Sequence, residues 1–127
     1  MAPKVRLQRL PGTYAVSRLD AVSPIPSWAD GEGFVSISRS DDELSIVCRA
    51  ERVAEGIRHV GDWACYRLVG PFAFDETGIV SAVIGPLSAA GIGIFVVSTF
   101  DGDHLLISEA DAARAEPLFA AAGHTLI

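Results

Sequence analysis

The sequence predicts an α+β protein built from two copies of one strand-and-helix unit, each a mainly antiparallel sheet with helices on one face. Three observations carry that prediction. Tyr14-Ala15-Val16-Ser17-Arg18-Leu19 is matched 49 positions later by Trp63-Ala64-Cys65-Tyr66-Arg67-Leu68, an aromatic-led pattern ending in Arg-Leu both times. The stretch from Val35 to Val47 is matched 60 positions later by Phe95 to Ile107: apolar strand, acidic turn, apolar strand. Between these blocks the second copy holds a run long enough for a full helix. The two offsets differ by about three helical turns, so the first copy has lost most of that helix. The units fall at residues 1–61 and 62–127.

Each element follows from local pattern. In the first unit the strand at Tyr14–Leu19 leads into residues 21–33, where Pro24 and Pro26 leave room for one turn near Ser27 to Asp30. A hairpin with the solvated tip Asp41-Asp42-Glu43 follows, then a charged amphipathic stretch, Glu51 to His59, predicted helical. In the second unit Ile79, Val80, Val83, Ile84 and Leu87 recur at three- and four-residue spacing and make one apolar helix face. Asp75 or Thr77 can cap its start, Gly91 stops it, and Pro86, which cannot donate to the Ala82 carbonyl, predicts a kink. The second hairpin turns at Asp101-Gly102, a pair suited to a type I′ turn. A last helix, Glu109 to Ala122 with Leu118 and Phe119 facing inward, precedes a short strand at 124–127.

Composition narrows the function. Ten basic against 16 acidic residues give a formal charge of −6 with no basic stripe, which excludes phosphate-driven nucleic-acid binding. Thr77 to Phe100 contains no charge and is long enough to span a bilayer. Yet Gly85-Pro86 and Gly91-Ile92-Gly93 break it, and Asp101 and Asp103 flank it where a membrane span favours Lys or Arg, so no membrane segment is expected. No export signal is recognisable. Cys48 and Cys65 sit in apolar runs without C-x-x-C spacing and read as reduced core thiols of a cytoplasmic protein. Half of the residues are hydrophobic and the mean hydropathy is +0.35, which predicts apolar surface buried in a homodimer. Trp28 and Trp63 read as core or interface anchors.

The segment Asp75-Glu76-Thr77-Gly78-Ile79-Val80, through Pro86-Leu87 to Ala90-Gly91-Ile92-Gly93-Ile94, resembles the signature of ACT domains, with Thr77 where the family usually has Pro. Gly70 to Val80 with Ser98-Thr99-Phe100 and Asp103-His104 is similar to the ACT-like units of the CASTOR family of cytosolic arginine sensors and its short bacterial relatives. The resemblance implies tandem ACT-like, ferredoxin-like βαββαβ units, the first degenerate with a shortened helix. It further implies a regulatory protein that binds an amino acid, arginine or another, between units.

An amino acid presents a carboxylate and an ammonium. The start of the predicted helix offers the backbone N–H groups of Gly78 and Ile79, favoured by the helix dipole, and Gly78 admits close approach. Glu76 and Asp103 supply acceptors and Ser98 and Thr99 hydroxyls; two carboxylates would also favour a cationic side chain. The candidate ligand site is therefore Asp75, Glu76, Thr77, Gly78, Ile79, Ser98, Thr99 and Asp103. Plainer roles stand beside these: Asp101 and Asp103 as turn stabilisers, Asp75 and Glu76 as first-turn charges. Two other functions compete: a ligand-free oligomerisation or docking scaffold, and a hydrolase or metal site using Glu76, Asp101 and Asp103. His59, His104 and His124 show no metal-ligand spacing, and no phosphate-cradling glycine loop is present, so no metal, cofactor or catalytic residue is expected.

Overall fold

The computed structural model describes residues 3–70, Phe72 and residues 77–127. Strands β1 (Arg6–Arg9), β2 (Tyr14–Leu19), β3 (Ser36–Arg39), β4 (Leu44–Arg49) and β5 (His59–Leu68) precede helix α1 (Ile79–Ala89). Strands β6 (Ile94–Ser98) and β7 (Asp103–Ser108), helix α2 (Glu109–Ala121) and strand β8 (Thr125–Leu126) complete the order. Two compact units result, Pro11–Trp63 and Met1–Leu10 with Ala64–Ile127, so the boundary falls inside β5. Residues 3–10, placed by the sequence reading in the first unit, pack with the second because β1 pairs there on both sides. Leu7 lies opposite Leu68 in antiparallel β5 and opposite Leu126 in parallel β8.

In the unit Pro11–Trp63 the strands run β3-β4-β2-β5, all pairs antiparallel. Helices are reduced to 3-10 turns. Ser27–Ala29 forms the turn expected after Pro26, but the helix expected at Glu51 to His59 is absent: a 3-10 turn at Ala50–Arg52 is all that forms. The chain becomes extended at Val53, Gly56 adopts a left-handed φ of 80°, and β5 begins at His59. Ala29, Leu44, Ile46 and Cys48 are its buried core, against which Leu19, Trp28 and Val53 pack.

The other unit has its strands in the order β8-β1-β5-β7-β6. The crossover from β5 through α1 to β6 leaves β7 between the two strands, and β1 fills a place between β5 and β8. Val83 and Leu87 of α1 and Ala112, Ala115 and Phe119 of α2 bury against Leu7, Tyr66, Leu68, Leu105 and Ile107, which puts both helices on one sheet face. Gly91, at φ 76°, ends α1 as expected, with Ile92 N–H donating to the Leu87 carbonyl at 3.0 Å. The helix continues through Pro86. The Ala82 carbonyl that Pro86 leaves unpaired accepts from buried His124 Nε2 at 2.9 Å, while His124 Nδ1 accepts from Val5 N–H at 3.0 Å.

The hairpins of the two units share one loop design. Ser40 N–H donates to the Glu43 carbonyl at 2.9 Å, and Thr99 N–H to the Gly102 carbonyl at 2.7 Å. Arg39 pairs with Leu44 and Ser98 with Asp103, so these hairpins correspond at an offset one residue shorter than the sequence alignment gives. Gly102 lacks a positive φ, which rules out the expected type I′ turn; the connection is a four-residue loop, 99–102.

Candidate functional site

The start of α1 and the β6–β7 hairpin form the two walls of a cleft of about 440 Å³. Gly78, Ile79, Val80 and Ser81 supply one wall; Ser98, Thr99, Phe100, Gly102 and Asp103 supply the other, with Phe72 beside them. Five of the eight residues chosen from sequence thus meet: Gly78, Ile79, Ser98, Thr99 and Asp103. Asp75 and Glu76 lie outside the described residues. Thr77 is exposed and is neither the helix cap nor part of the cleft wall.

Gly78 caps the helix with a left-handed backbone, φ 79° and ψ 0°, and among the described residues no side chain caps it. The first intrahelical bond is Ala82 N–H to the Gly78 carbonyl, 3.0 Å. The N–H groups of Ile79, Val80 and Ser81 therefore have no acceptor within the helix, and the positive end of its dipole faces the cleft. Sequence reasoning stopped at Ile79 and missed Val80 and Ser81. The three-residue spacing from Gly78 to Ser81 was the available signal, since it returns the chain to the same side of the helix.

Across the cleft, Ser98 Oγ donates to Asp103 Oδ1, and Thr99 Oγ1 donates to the Gly102 carbonyl at 3.0 Å. The hydroxyls expected to meet a ligand thus also hold the hairpin, and Asp103 serves both the turn and the cleft. The wall can accept hydrogen bonds from a cation while the helix start donates to an anion. Among the described residues no cluster of three or more His, Cys, Asp or Glu could hold a metal ion. Cys48 and Cys65 are buried free thiols. No helix of the described residues is long and apolar enough to cross a membrane.

The ACT-domain family model matches residues 58–118, and a model for a family of N-terminal domains matches residues 12–56. Residues 58–118 of this chain are thus an ACT domain. Over 48 residues it is 48% identical to the cytosolic arginine sensor for mTORC1 subunit 1 of Bos taurus and of Homo sapiens. That match spans 37% of this chain and 15% of the sensor. An X-ray structure of a protein from Agrobacterium tumefaciens is 57% identical with a TM-score of 0.95, covering 99% of this chain and 94% of that one. Aspartate kinase of Clostridium acetobutylicum shares the fold alone: TM-score 0.65 at 12% identity, over 96% of this chain and 34% of the kinase.

Proposed function

We propose that this ACT-domain protein is a regulatory module that binds an amino acid in the cleft between the start of α1 and the β6–β7 hairpin. One observation carries the reading: N–H groups that have no acceptor within the helix, at a left-handed glycine, share one cleft with a carboxylate residue, the two complementary halves of a zwitterion site. L-arginine is the first ligand to test, because the curated relative is an arginine sensor. Glu76, read from the sequence as a second acceptor, would hold the cationic side chain. The regulatory role needs no catalytic group and acts through differential affinity for two states of the protein.

Titration calorimetry of the 20 amino acids against the purified chain tests it. At least one should bind, and Asp103→Ala should weaken that ligand roughly tenfold or more, the worth of a charge-assisted hydrogen bond. No heat from any of them would favour the scaffold reading. Phe100, 75% exposed in the cleft wall, and the high mean hydropathy support a homodimer, and the free thiols Cys48 and Cys65 support a cytoplasmic setting. Light scattering at the monomer mass of 13.4 kDa would contradict the dimer.

A further inference from the structure

The β6–β7 hairpin also lines a second hollow, likewise of about 440 Å³, to which the function proposed above gives no role. Its walls carry both signs of charge: Arg67 from β5, Asp101 and Asp103 from the hairpin, and His104 from β7. Leu68 and Leu105 belong to the core under the helices, so strand alternation turns their neighbours Arg67 and His104 to the face without helices.

Arg67 and Asp101 share this hollow without an ion pair between them. Arg67 Nε and Nη2 donate to Gln8 Oε1 at 3.3 and 3.1 Å, a neutral acceptor, and among the described residues no carboxylate lies within 4.0 Å of the guanidinium. Asp103 is occupied by the Ser98 hydroxyl. The tip carrying Asp101 is fixed separately: Phe72 N–H donates to the Asp101 carbonyl at 2.9 Å, and Gly70 packs so closely that a Cβ there would come 2.5 Å from that oxygen. Gln8 therefore holds the guanidinium, and Phe72 with Gly70 holds the backbone that carries Asp101, so that a cationic and an anionic residue line one hollow. The complement of that arrangement is a small molecule bearing both charges in the opposite sense.

We infer that this hollow is a second binding site for a small zwitterion, whose carboxylate is taken by Arg67 and whose ammonium is taken by Asp101. Arg67 has donors left after Gln8, and its planar fork suits a carboxylate. The hollow shares Thr99, Gly102 and Asp103 with the α1 cleft, but Arg67, Gly70, Asp101 and His104 line it alone while Val80 and Ser81 line only the cleft, so these residues report on the two sites separately.

The test is a two-dimensional amide NMR titration with glycine, the smallest zwitterion, beside acetate and methylammonium, which carry one charge each. Glycine should shift the Gly70 amide and the His104 signals, and at equal concentration the single-charge probes should shift them far less. Arg67→Gln should weaken that response roughly tenfold or more. Asp101→Asn is the second variant with the same expectation, and in both the Val80 and Ser81 amides, on the other cleft, should respond to glycine as in the parent. Movement at Gly70 and His104 with Val80 and Ser81 still would support this site and count against the first cleft. The proposal is overturned if Gly70 and His104 stay still throughout a titration that leaves the protein folded, if the single-charge probes act equally, or if both variants respond as the parent does.

Discussion

His104 shows how one residue reports its surroundings. Burial, and next the positive charge of Arg67, hold its pKa below the ordinary 6.5, with Asp103 opposing. A histidine depressed in the folded state leaves the unfolded chain to bind the extra proton. Its contribution to stability is therefore complete above about 6.5 and is lost as pH falls toward the depressed value. Urea unfolding at descending pH should show that decline, and NMR titration of the ring in Arg67→Gln should show a higher pKa than in the parent, with the burial effect remaining. At Cys65, burial pushes the thiol up to about 12, so it stays protonated and unreactive at neutral pH. Iodoacetamide should modify it only after unfolding; rapid modification of native protein would contradict that burial. Gly78 has room for a methyl group, the nearest atom being Pro3 Cδ at 3.7 Å, so Gly78→Ala should cost about 1–2 kcal/mol from the left-handed backbone alone. Chemical denaturation measures it.

Among the elements, α1 owes its continuity to a residue 42 positions away. Pro86 removes a helical donor, and His124 replaces it while accepting from Val5, so one ring joins β1, α1 and the turn before β8. His124→Ala leaves a buried N–H and a half-buried carbonyl without their partner and should cost on the order of 2 kcal/mol, read by urea unfolding. Leu87→Ala, in the core between α1 and the sheet, should cost about 2–5 kcal/mol by the same measurement. What the sequence disclosed of these elements follows the strength of their periodicity. The run Ile79 to Leu87 was legible because five apolar residues repeat at helical spacing, and β2, β4, β6 and β7 because apolar residues dominate them. Strand β1 was not, since Arg6-Leu7-Gln8-Arg9 buries only Leu7 fully and its place depends on partners more than 50 residues away. The segment after Glu51 mimics an amphipathic helix, but its glycine turns the chain into β5 before a second turn can form. The hairpin offset slipped by one residue because the aligned strands are apolar on both sides of the slip, and only hydrogen bonding in the loops fixes the register.

At the scale of the whole molecule, two family models meet between residues 56 and 58, whereas the compact units divide between Trp63 and Ala64. Shared ancestry and compact packing thus set slightly different borders, because β5 contributes residues to both units. The internal repeat made the α+β class readable, and both helices do lie on one face of their sheet. Of the site, the sequence offered the Gly78-Ile79 and Ser98-Thr99 pairs with Asp103, which the fold brings to one cleft from segments some twenty residues apart. Arg67 passed unremarked as part of a repeated Arg-Leu ending, since strand alternation alone does not say what shares its face.

The central claim is that the cleft at the start of α1 binds an amino acid, and thermal unfolding with each of the 20 in turn tests it most directly. A ligand of the folded state present at about a hundred times its Kd should add roughly 2.7 kcal/mol and raise the Tm by several degrees. The account predicts such a rise for at least one amino acid, L-arginine first, and its loss in Asp103→Ala. Equal melting temperatures across the whole set, or a rise that Asp103→Ala leaves unchanged, would contradict it.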